Sequence, residues 1–209
     1  HKITVAQVLL SPEDTEQRRR HLNARATITT LLSLNVVPVI NENDTVTTKE
    51  IRFGDNDRLG ARVAQMVSAD TLILLSDVDG LYNRDPSINE EAQHIPLVKE
   101  ITPEVEAMAG LARTDYSSGG MVTKLAAAKI ATNAGCQMVI AAGKIMNPIS
   151  SINKGARCTW FQASSTPRGA RKTWIASAIN PLGAIFIDDG ATNAINDGKS
   201  LLPAGILEI

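Results

Sequence analysis

Short apolar runs alternate with amphipathic stretches along most of the chain, and each apolar run ends abruptly in polar residues. The run at 71–75 is almost unbroken, which is typical of a strand covered on both faces of a parallel sheet. Similar runs occur at 3–10, 36–40 and 138–142, and apolar residues recur at helical spacing in 12–34, 57–68 and 125–134. This alternating order predicts an α/β fold in which helices sandwich a doubly wound, mostly parallel sheet.

The first helix is predicted to start at Ser11 and Pro12 and to continue to about Leu34, because Ser is a good N-cap and Pro is favoured at the first helical position. The run at 18–21, Arg-Arg-Arg-His, is expected to be solvated surface rather than a nucleic-acid patch. The side chains available for the apolar face of this helix are Leu22, Ala26, Ile28, Leu31 and Leu32.

The pattern changes near residue 165, where a polar stretch with Gly and Pro has no apolar period. We therefore predict one domain over 1–165, followed by a linker and the start of a small β-rich domain over 166–209. The second piece has one strand candidate at 184–187 and Asp-Gly turns, and it is too short to bury a core alone. The chain opens inside a strand pattern without Met, so we expect a piece of a longer protein.

Two clusters of small polar side chains stand out around the strand at 36–40. In open α/β sheets ligands bind beyond the carboxyl ends of the strands, so the two clusters are expected to meet at one crevice. The same residue types also form turns and helix caps, and that plain structural role is about as well supported by the pattern alone. The clusters are Asn41, Asn43 and Asp44 after the strand, and Asp55, Asn56 and Asp57 before the next helix.

A third feature is the stretch of hydroxyls and paired glycines at 114–124, immediately before a predicted helix. Backbone N–H groups at a helix start favour a phosphate, and Lys124 could reach a phosphoryl group there. Taken alone this motif is weak, because Gly-Gly before a helix is common and the Walker A spacing is absent. The strand at 71–75 ends in a comparable polar edge, Ser76 and Asp77.

Composition narrows the class of protein without naming a function. With 44% hydrophobic and 21% charged residues and a net charge of −1, neither a disordered chain nor a strongly basic nucleic-acid surface is indicated. No apolar run is long enough to span a bilayer. The two cysteines, Cys136 and Cys158, are distant from each other and from the three histidines, which argues against a zinc site and favours a reducing cytoplasm. We expect both to serve packing.

Four motifs follow one another along the chain: Val-Ile-Asn-Glu-Asn-Asp at 39–44, Gly-Asp-Asn-Asp at 54–57, Leu-Leu-Ser-Asp-Val-Asp-Gly-Leu-Tyr at 74–82 and Gly-Gly-Met-Val-Thr-Lys at 119–124. In this order they resemble the amino acid kinase family, and within it the members that phosphorylate L-glutamate. The resemblance runs from about residue 5 to 163, and the tail resembles the start of a PUA domain. It implies transfer of a phosphoryl group from ATP, with Mg²⁺, to the γ-carboxylate of L-glutamate, the first step of proline biosynthesis.

The resemblance also implies roles for individual residues. Asp44 and Asn56 would contact glutamate, with Asn41 as a neighbour, and Asp57 would organise the catalytic lysines. Phosphoryl transfer depends mainly on positioning and on positive charge, and the ionised glutamate carboxylate is itself the nucleophile. The implied nucleotide-binding residues are Ser76, Asp77, Ser118, Gly119, Gly120, Met121, Val122, Thr123 and Lys124.

The chain departs from the family pattern at its start. Family members begin with a strand and a glycine-rich loop bearing a second lysine, followed by a substrate-contacting serine, and nothing before Val5 supplies them. We therefore expect these 209 residues alone to be inactive. The resemblance further implies assembly into dimers or tetramers and feedback inhibition by proline.

Two alternatives to the glutamate reading stay open. One is another kinase of the same fold, acting on N-acetylglutamate, aspartate, carbamate or a nucleotide. The other is an RNA-binding regulatory protein that uses the PUA-like tail, although the near-neutral charge and the few aromatic residues count against extensive RNA contact.

Overall fold

The computed structural model describes residues 2–45, 55–110, 120–164, 166, 169 and 185–208. Its contacts divide the chain into two compact units, 1–172 and 173–209. The assignment of these units to a kinase domain and a PUA-like domain stays a prediction. The elements described in the first unit are β1 (Val5–Leu10), α1 (Pro12–Glu16), α2 (Arg18–Ser33), β2 (Val37–Glu42), α3 (Asp55–Val67), β3 (Thr71–Ser76), β4 (Leu81–Tyr82), β5 (His94–Ile95), β6 (Leu97–Val98), α4 (Pro103–Gly110), α5 (Met121–Asn133), β7 (Gln137–Ala142), α6 (Pro148–Asn153) and β8 (Cys158–Phe161).

The main sheet has the strand order β3-β7-β8-β6. Strands β3 and β7 are parallel, with Ser76 opposite Ala142 at their carboxyl ends, and β6 and β8 are also parallel. The α/β class with mostly parallel pairing is confirmed. Two details differ from a single doubly wound sheet: β1 and β2 form a separate parallel pair, and β8 runs antiparallel to β7. The short helix α6 and turns connect β7 to the antiparallel strand β8.

The core lies between the buried strand β7 and the helices α3 and α5. Met138, Val139 and Ile140 of β7 are fully buried. Helices α3 and α5 pack against each other, and the side chains they bury are mostly small. Small side chains let the backbones of packed helices approach closely, and we call the five buried alanines of these two helices the alanine seam. The alanines of the seam are Ala61, Ala64, Ala127, Ala128 and Ala131.

The predicted single helix from 12 to 34 is wrong, because the chain breaks at Gln17. Gln17 has extended backbone angles, φ −78° and ψ 120°, and separates α1 from α2. The bend brings the Arg20 guanidinium within 3.1 Å of the Glu13 carboxylate, and Arg62 of α3 lies 2.9 Å from Glu16. These ion pairs need α1 to leave the axis of α2.

The apolar face predicted for the first helix is only partly buried. Ile28 is 2% exposed, whereas Leu22 and Leu32 are about half exposed. The three arginines at 18–20 are exposed, as expected for solvated surface. Helix α2 therefore contributes one deeply buried side chain to this unit.

The second unit is described over residues 185–208. Strands β9 (Phe186–Ile187) and β10 (Ile206–Glu208) pair antiparallel, and α7 (Asp189–Asn196) lies between them in the sequence. The expectation of Asp-Gly turns is confirmed at Asp197-Gly198, where Gly198 has φ +77°, and is wrong at Asp189-Gly190, which lies in α7. There Asp188 Oδ1 accepts a hydrogen bond from the Ala191 N–H at 2.7 Å and caps the helix. The resemblance of the tail to a PUA domain stays a prediction.

Both cysteines are buried and free, as expected for packing residues. Burial raises the pKa of the Cys136 thiol to about 11, which disfavours the reactive thiolate. Across the described ranges, no helix has the length and apolar composition needed to cross a membrane.

Candidate functional site

The centre of the candidate site is an ion pair between two helix starts. Asp57 is the third residue of α3 and Lys124 the fourth residue of α5, and the Lys124 Nζ lies 3.1 Å from the Asp57 Oδ2. The Lys124 side chain is only 12% exposed and the Asp57 side chain only 19%. Partial burial strengthens the attraction between opposite charges relative to an exposed pair. The ammonium of Lys124 is thus held at a defined place beside the first turn of α5.

Thr123 adds a second contact to the same carboxylate oxygen. Its hydroxyl lies 3.0 Å from the Asp57 Oδ2 and 2.9 Å from the Gly120 carbonyl oxygen, so its single proton can be donated to either. Gly120 is the N-cap of α5, with φ −71° and ψ −163°. The first N–H groups of a helix lack partners within the helix and favour an anion. Asp57 therefore anchors a helix start that has an anion-binding character.

Ser76 and Asp77 stand at the carboxyl end of β3. The Ser76 hydroxyl donates to the Asp77 Oδ1 at 2.8 Å. That hydrogen bond is the main reason why the pKa of the Asp77 carboxyl lies below its usual value, and the charges of Lys124 and Lys144 lower it further. Because the charge of Lys124 lowers the pKa of Asp77, the end of β3 and the start of α5 lie close enough for their charges to interact.

The segment after Asp77 is fixed by Thr159 of β8, which is fully buried. Its hydroxyl accepts a hydrogen bond from the Leu81 N–H at 2.7 Å and donates to the Ile95 carbonyl at 2.6 Å. Leu81 and Ile95 are paired in the β4–β5 hairpin, so the hydroxyl bridges the two strands. The hairpin that follows Asp77 is thereby attached to the main sheet.

A second network ties the same segment to Arg157. The Tyr82 hydroxyl donates to the Asp79 Oδ1 at 2.9 Å, and the Arg157 Nη1 donates to the Tyr82 oxygen at 3.3 Å. The Tyr82 ring also meets the His94 ring edge to face, with centroids 5.3 Å apart. Sequence reasoning missed Arg157 and Thr159, because each lies more than 60 residues from its partners and no local motif indicates the contacts.

The predicted substrate residues are all exposed. Asn41 lies near the end of β2, Asp44 in the turn after it, and Asn56 in the first turn of α3. Strand β2 packs against α3, which places the two polar clusters on neighbouring elements. Their contact with a substrate stays a prediction. Of the predicted nucleotide residues, Ser118 and Gly119 lie outside the described residues, whereas 120–124 form the cap and first turn of α5.

Within the part of the chain that the structure describes, three or more His, Cys, Asp or Glu side chains nowhere gather in a way that could hold a metal ion. The two carboxylates of the candidate site already have partners. Asp57 contacts Lys124 and Thr123, and Asp77 accepts a hydrogen bond from Ser76. The described side chains therefore do not form a dedicated metal cage.

Comparison with known proteins gives consistent matches. The model of the amino acid kinase family matches residues 1–142. The chain is 60% identical over 209 residues to the glutamate 5-kinase of Paramagnetospirillum magneticum, covering 100% of this chain and 56% of that protein. It is 57% identical over 209 residues to the glutamate 5-kinase of Nitrobacter hamburgensis, covering 100% of this chain and 55% of that protein. The chain thus spans about half the length of the curated relatives it matches.

A solved structure supports the fold. The UMP kinase from Bacillus anthracis matches with a TM-score of 0.51 at 12% identity, covering 79% of this chain and 61% of that one. At this identity the likeness concerns the architecture alone. The fold of this chain is therefore one that this kinase shares.

Proposed function

The chain belongs to the amino acid kinase family, and on that premise we propose that the protein carrying it is a glutamate 5-kinase, which transfers the γ-phosphoryl group of ATP to the γ-carboxylate of L-glutamate. The observation that carries this proposal is the partly buried Asp57–Lys124 pair at the start of α5. The names of the relatives, at 57–60% identity over the whole chain, favour glutamate over the other acceptors of the family.

The chemistry follows from charge and position. A γ-carboxylate oxygen of glutamate attacks the γ-phosphorus of ATP, an O–P bond forms, and the bond from phosphorus to the bridging oxygen of ADP breaks. The carboxylate is ionised near neutral pH, so the step needs no general base. Negative charge spreads over the phosphoryl oxygens, and a fixed ammonium lowers the energy of that transition state. In this proposal Lys124 supplies the ammonium and Asp57 fixes its position.

Nucleotide binding in the same proposal uses the start of α5. The N–H groups of Met121 and Val122 and the Gly120 turn face the phosphates, and Ser76 and Asp77 border the nucleotide from the end of β3. Magnesium would reach the site with the nucleotide, because Mg²⁺ binds phosphate oxygens and keeps several of its waters. Bound Mg²⁺ would neutralise phosphate charge.

Contact of glutamate with Asp44, Asn56 and Asn41, feedback inhibition by proline, assembly into dimers or tetramers, and a cytoplasmic location are parts of the proposal. The relatives from Paramagnetospirillum magneticum and Nitrobacter hamburgensis are both named glutamate 5-kinase. They do not favour the alternatives of another acceptor or of an RNA-binding regulator.

The test uses the protein at its full natural length. It is incubated with ATP, Mg²⁺ and one acceptor at a time (L-glutamate, L-aspartate or N-acetyl-L-glutamate), and the acyl phosphate is trapped with hydroxylamine. We expect hydroxamate with L-glutamate only. Hydroxamate with another acceptor would contradict the choice of glutamate, and none with any acceptor would contradict the kinase assignment.

A pair of variants on one helix links the activity to the site. Lys124→Ala is expected to abolish hydroxamate formation, because it removes the ammonium at the phosphates. Lys129→Ala is the matched control: Lys129 lies on the same helix, is about half exposed and pairs with Glu106. Equal loss in both variants would show that the effect comes from damage to α5 rather than from the site.

A further inference from the structure

Lys144 emerges at the carboxyl edge of the main sheet, beside Asp77. Strands β3 and β7 are parallel and end in register, with Ser76 opposite Ala142. The next residue, Gly143, donates its N–H to the Ser76 carbonyl oxygen at 2.7 Å, which continues the pairing by one step. Lys144 therefore follows directly at the same edge as the proposed nucleotide residues Ser76 and Asp77.

Gly143 brings the two strand ends into unusually close contact. A Cβ at this position would lie 3.1 Å from the Leu75 Cβ and 3.4 Å from the Ser76 carbonyl oxygen. The absence of a side chain is thus what allows the approach. Close packing of the backbone before Lys144 fixes where its side chain starts, so the place of Lys144 is set by the sheet rather than by a loose loop.

The two lysines near Asp77 differ in whether they form an ion pair. Lys124 is held by Asp57, whereas Lys144 is exposed and takes part in none of the ion pairs recorded between described residues. Both charges nevertheless act on Asp77 and lower the pKa of its carboxyl group. The site thus has a fixed cation on the side of α5 and an available cation on the side of β7.

We propose that Lys144 binds the polyphosphate of a nucleoside triphosphate, from the β7 side of the site. This inference rests on the proposed function, because it assumes that the edge formed by Ser76 and Asp77 borders the nucleotide. A polyphosphate carries several negative charges, and a lysine ammonium is a mobile point charge that can meet its oxygens without a fixed geometry. Lys144 then distinguishes a nucleoside triphosphate from the nucleoside alone.

The experiment measures binding of a non-hydrolysable ATP analogue, of ADP and of adenosine to the full-length protein by titration calorimetry. Lys144→Ala is expected to weaken the analogue roughly tenfold, the loss that corresponds to one charge-assisted hydrogen bond in a partly solvated place, and to leave adenosine unchanged. Lys144→Arg keeps a positive charge and should retain most of the affinity. Lys154→Ala is the control, since Lys154 is also exposed and lies ten residues further on, past the end of α6.

A fourth variant separates direct contact from an effect through Asp77. In an Asp77→Asn background, Lys144→Ala should still weaken the ATP analogue; loss of the effect there would overturn direct binding. Equal affinity of wild type and Lys144→Ala for the analogue would also overturn the inference. If the wild type meanwhile forms glutamyl hydroxamate, the proposed function stands and only the role of Lys144 falls. A wild type that binds no nucleotide and forms no hydroxamate would overturn both.

Discussion

The Lys124 ammonium and the Asp57 carboxylate lie 3.1 Å apart at the first turns of two packed helices. The Thr123 hydroxyl contacts the same carboxylate oxygen at 3.0 Å. Asp57 is thus positioned to orient Lys124. Its expected role is that of a positioning residue.

The first prediction concerns the charge of Asp57. Asp57→Asn keeps an oxygen that can accept the hydrogen bond of Thr123 but removes the negative charge that holds Lys124. We expect kcat to fall about 100-fold, the size of effect seen when a fixed electrostatic contact to a transition state is lost, with little change in the melting temperature. Steady-state hydroxamate kinetics and a thermal melt of the same sample check this. Unchanged kcat would show that Lys124 is positioned by other contacts.

The second prediction concerns the hydroxyl that bridges Leu81 and Ile95. Thr159→Val preserves the shape of the side chain but leaves a buried N–H and a buried carbonyl without this partner. The free energy of unfolding should therefore fall by about 2–4 kcal/mol. Thr159→Ser keeps the hydroxyl and should cost only about 1 kcal/mol for the lost methyl group. Urea unfolding of the three proteins gives the free energies. Equal losses in both variants would mean that packing, not the bridge, is what matters.

The third prediction concerns Gly80, next to that bridge. A Cβ at Gly80 would lie 2.6 Å from both the His94 Nε2 and the Thr159 Oγ1. Gly80→Ala should therefore destabilise the protein by about 3 kcal/mol through overpacking. Gly155 has φ +86° and open space around it, so Gly155→Ala should cost only about 1 kcal/mol of backbone strain. Thermal melts that rank the two variants in the opposite order would contradict the close contact.

The fourth prediction concerns pH. Burial lowers the pKa of His94, the Arg157 charge lowers it further, and Asp79 opposes the shift. The unfolded chain then binds a proton at higher pH than the folded one, so the free energy of unfolding should fall as pH drops from about 7 to about 5. In His94→Gln this part of the pH dependence should disappear. Urea unfolding at both pH values measures it, and an identical slope in wild type and variant would assign the effect to other groups.

Sequence reasoning located the elements whose pattern is local. Strands β3 and β7 are short apolar runs, and α3 and α5 have helical spacing with clear starts, so their bounds were found to within a few residues. The pairing of Asp57 with Lys124 followed from the family resemblance, since the two lie 67 residues apart in the chain. Their distance and burial required the structure.

The features that sequence reasoning missed depend on contacts between distant parts of the chain. The break at Gln17 is accompanied by ion pairs, including one that connects α1 to Arg62 of α3, about 45 residues further on. The four residues of β8 carry no local signal for strand direction, so the sequence is equally compatible with a parallel or an antiparallel strand. Lys144 was passed over because a single lysine after a glycine is common, and only the register of β3 and β7 places it beside Asp77.

The packing of α3 against α5, with the alanines of the seam in the core, bears on the ion pair at the start of both helices. Because each helix carries one member of the pair in its first turn, the separation of Asp57 and Lys124 depends on how closely the two helices pack. A larger side chain in the seam, such as Ala128→Leu, would push the helices apart and misplace the ammonium without touching the site. A redesign of the site for another phosphate acceptor should therefore leave these alanines unchanged.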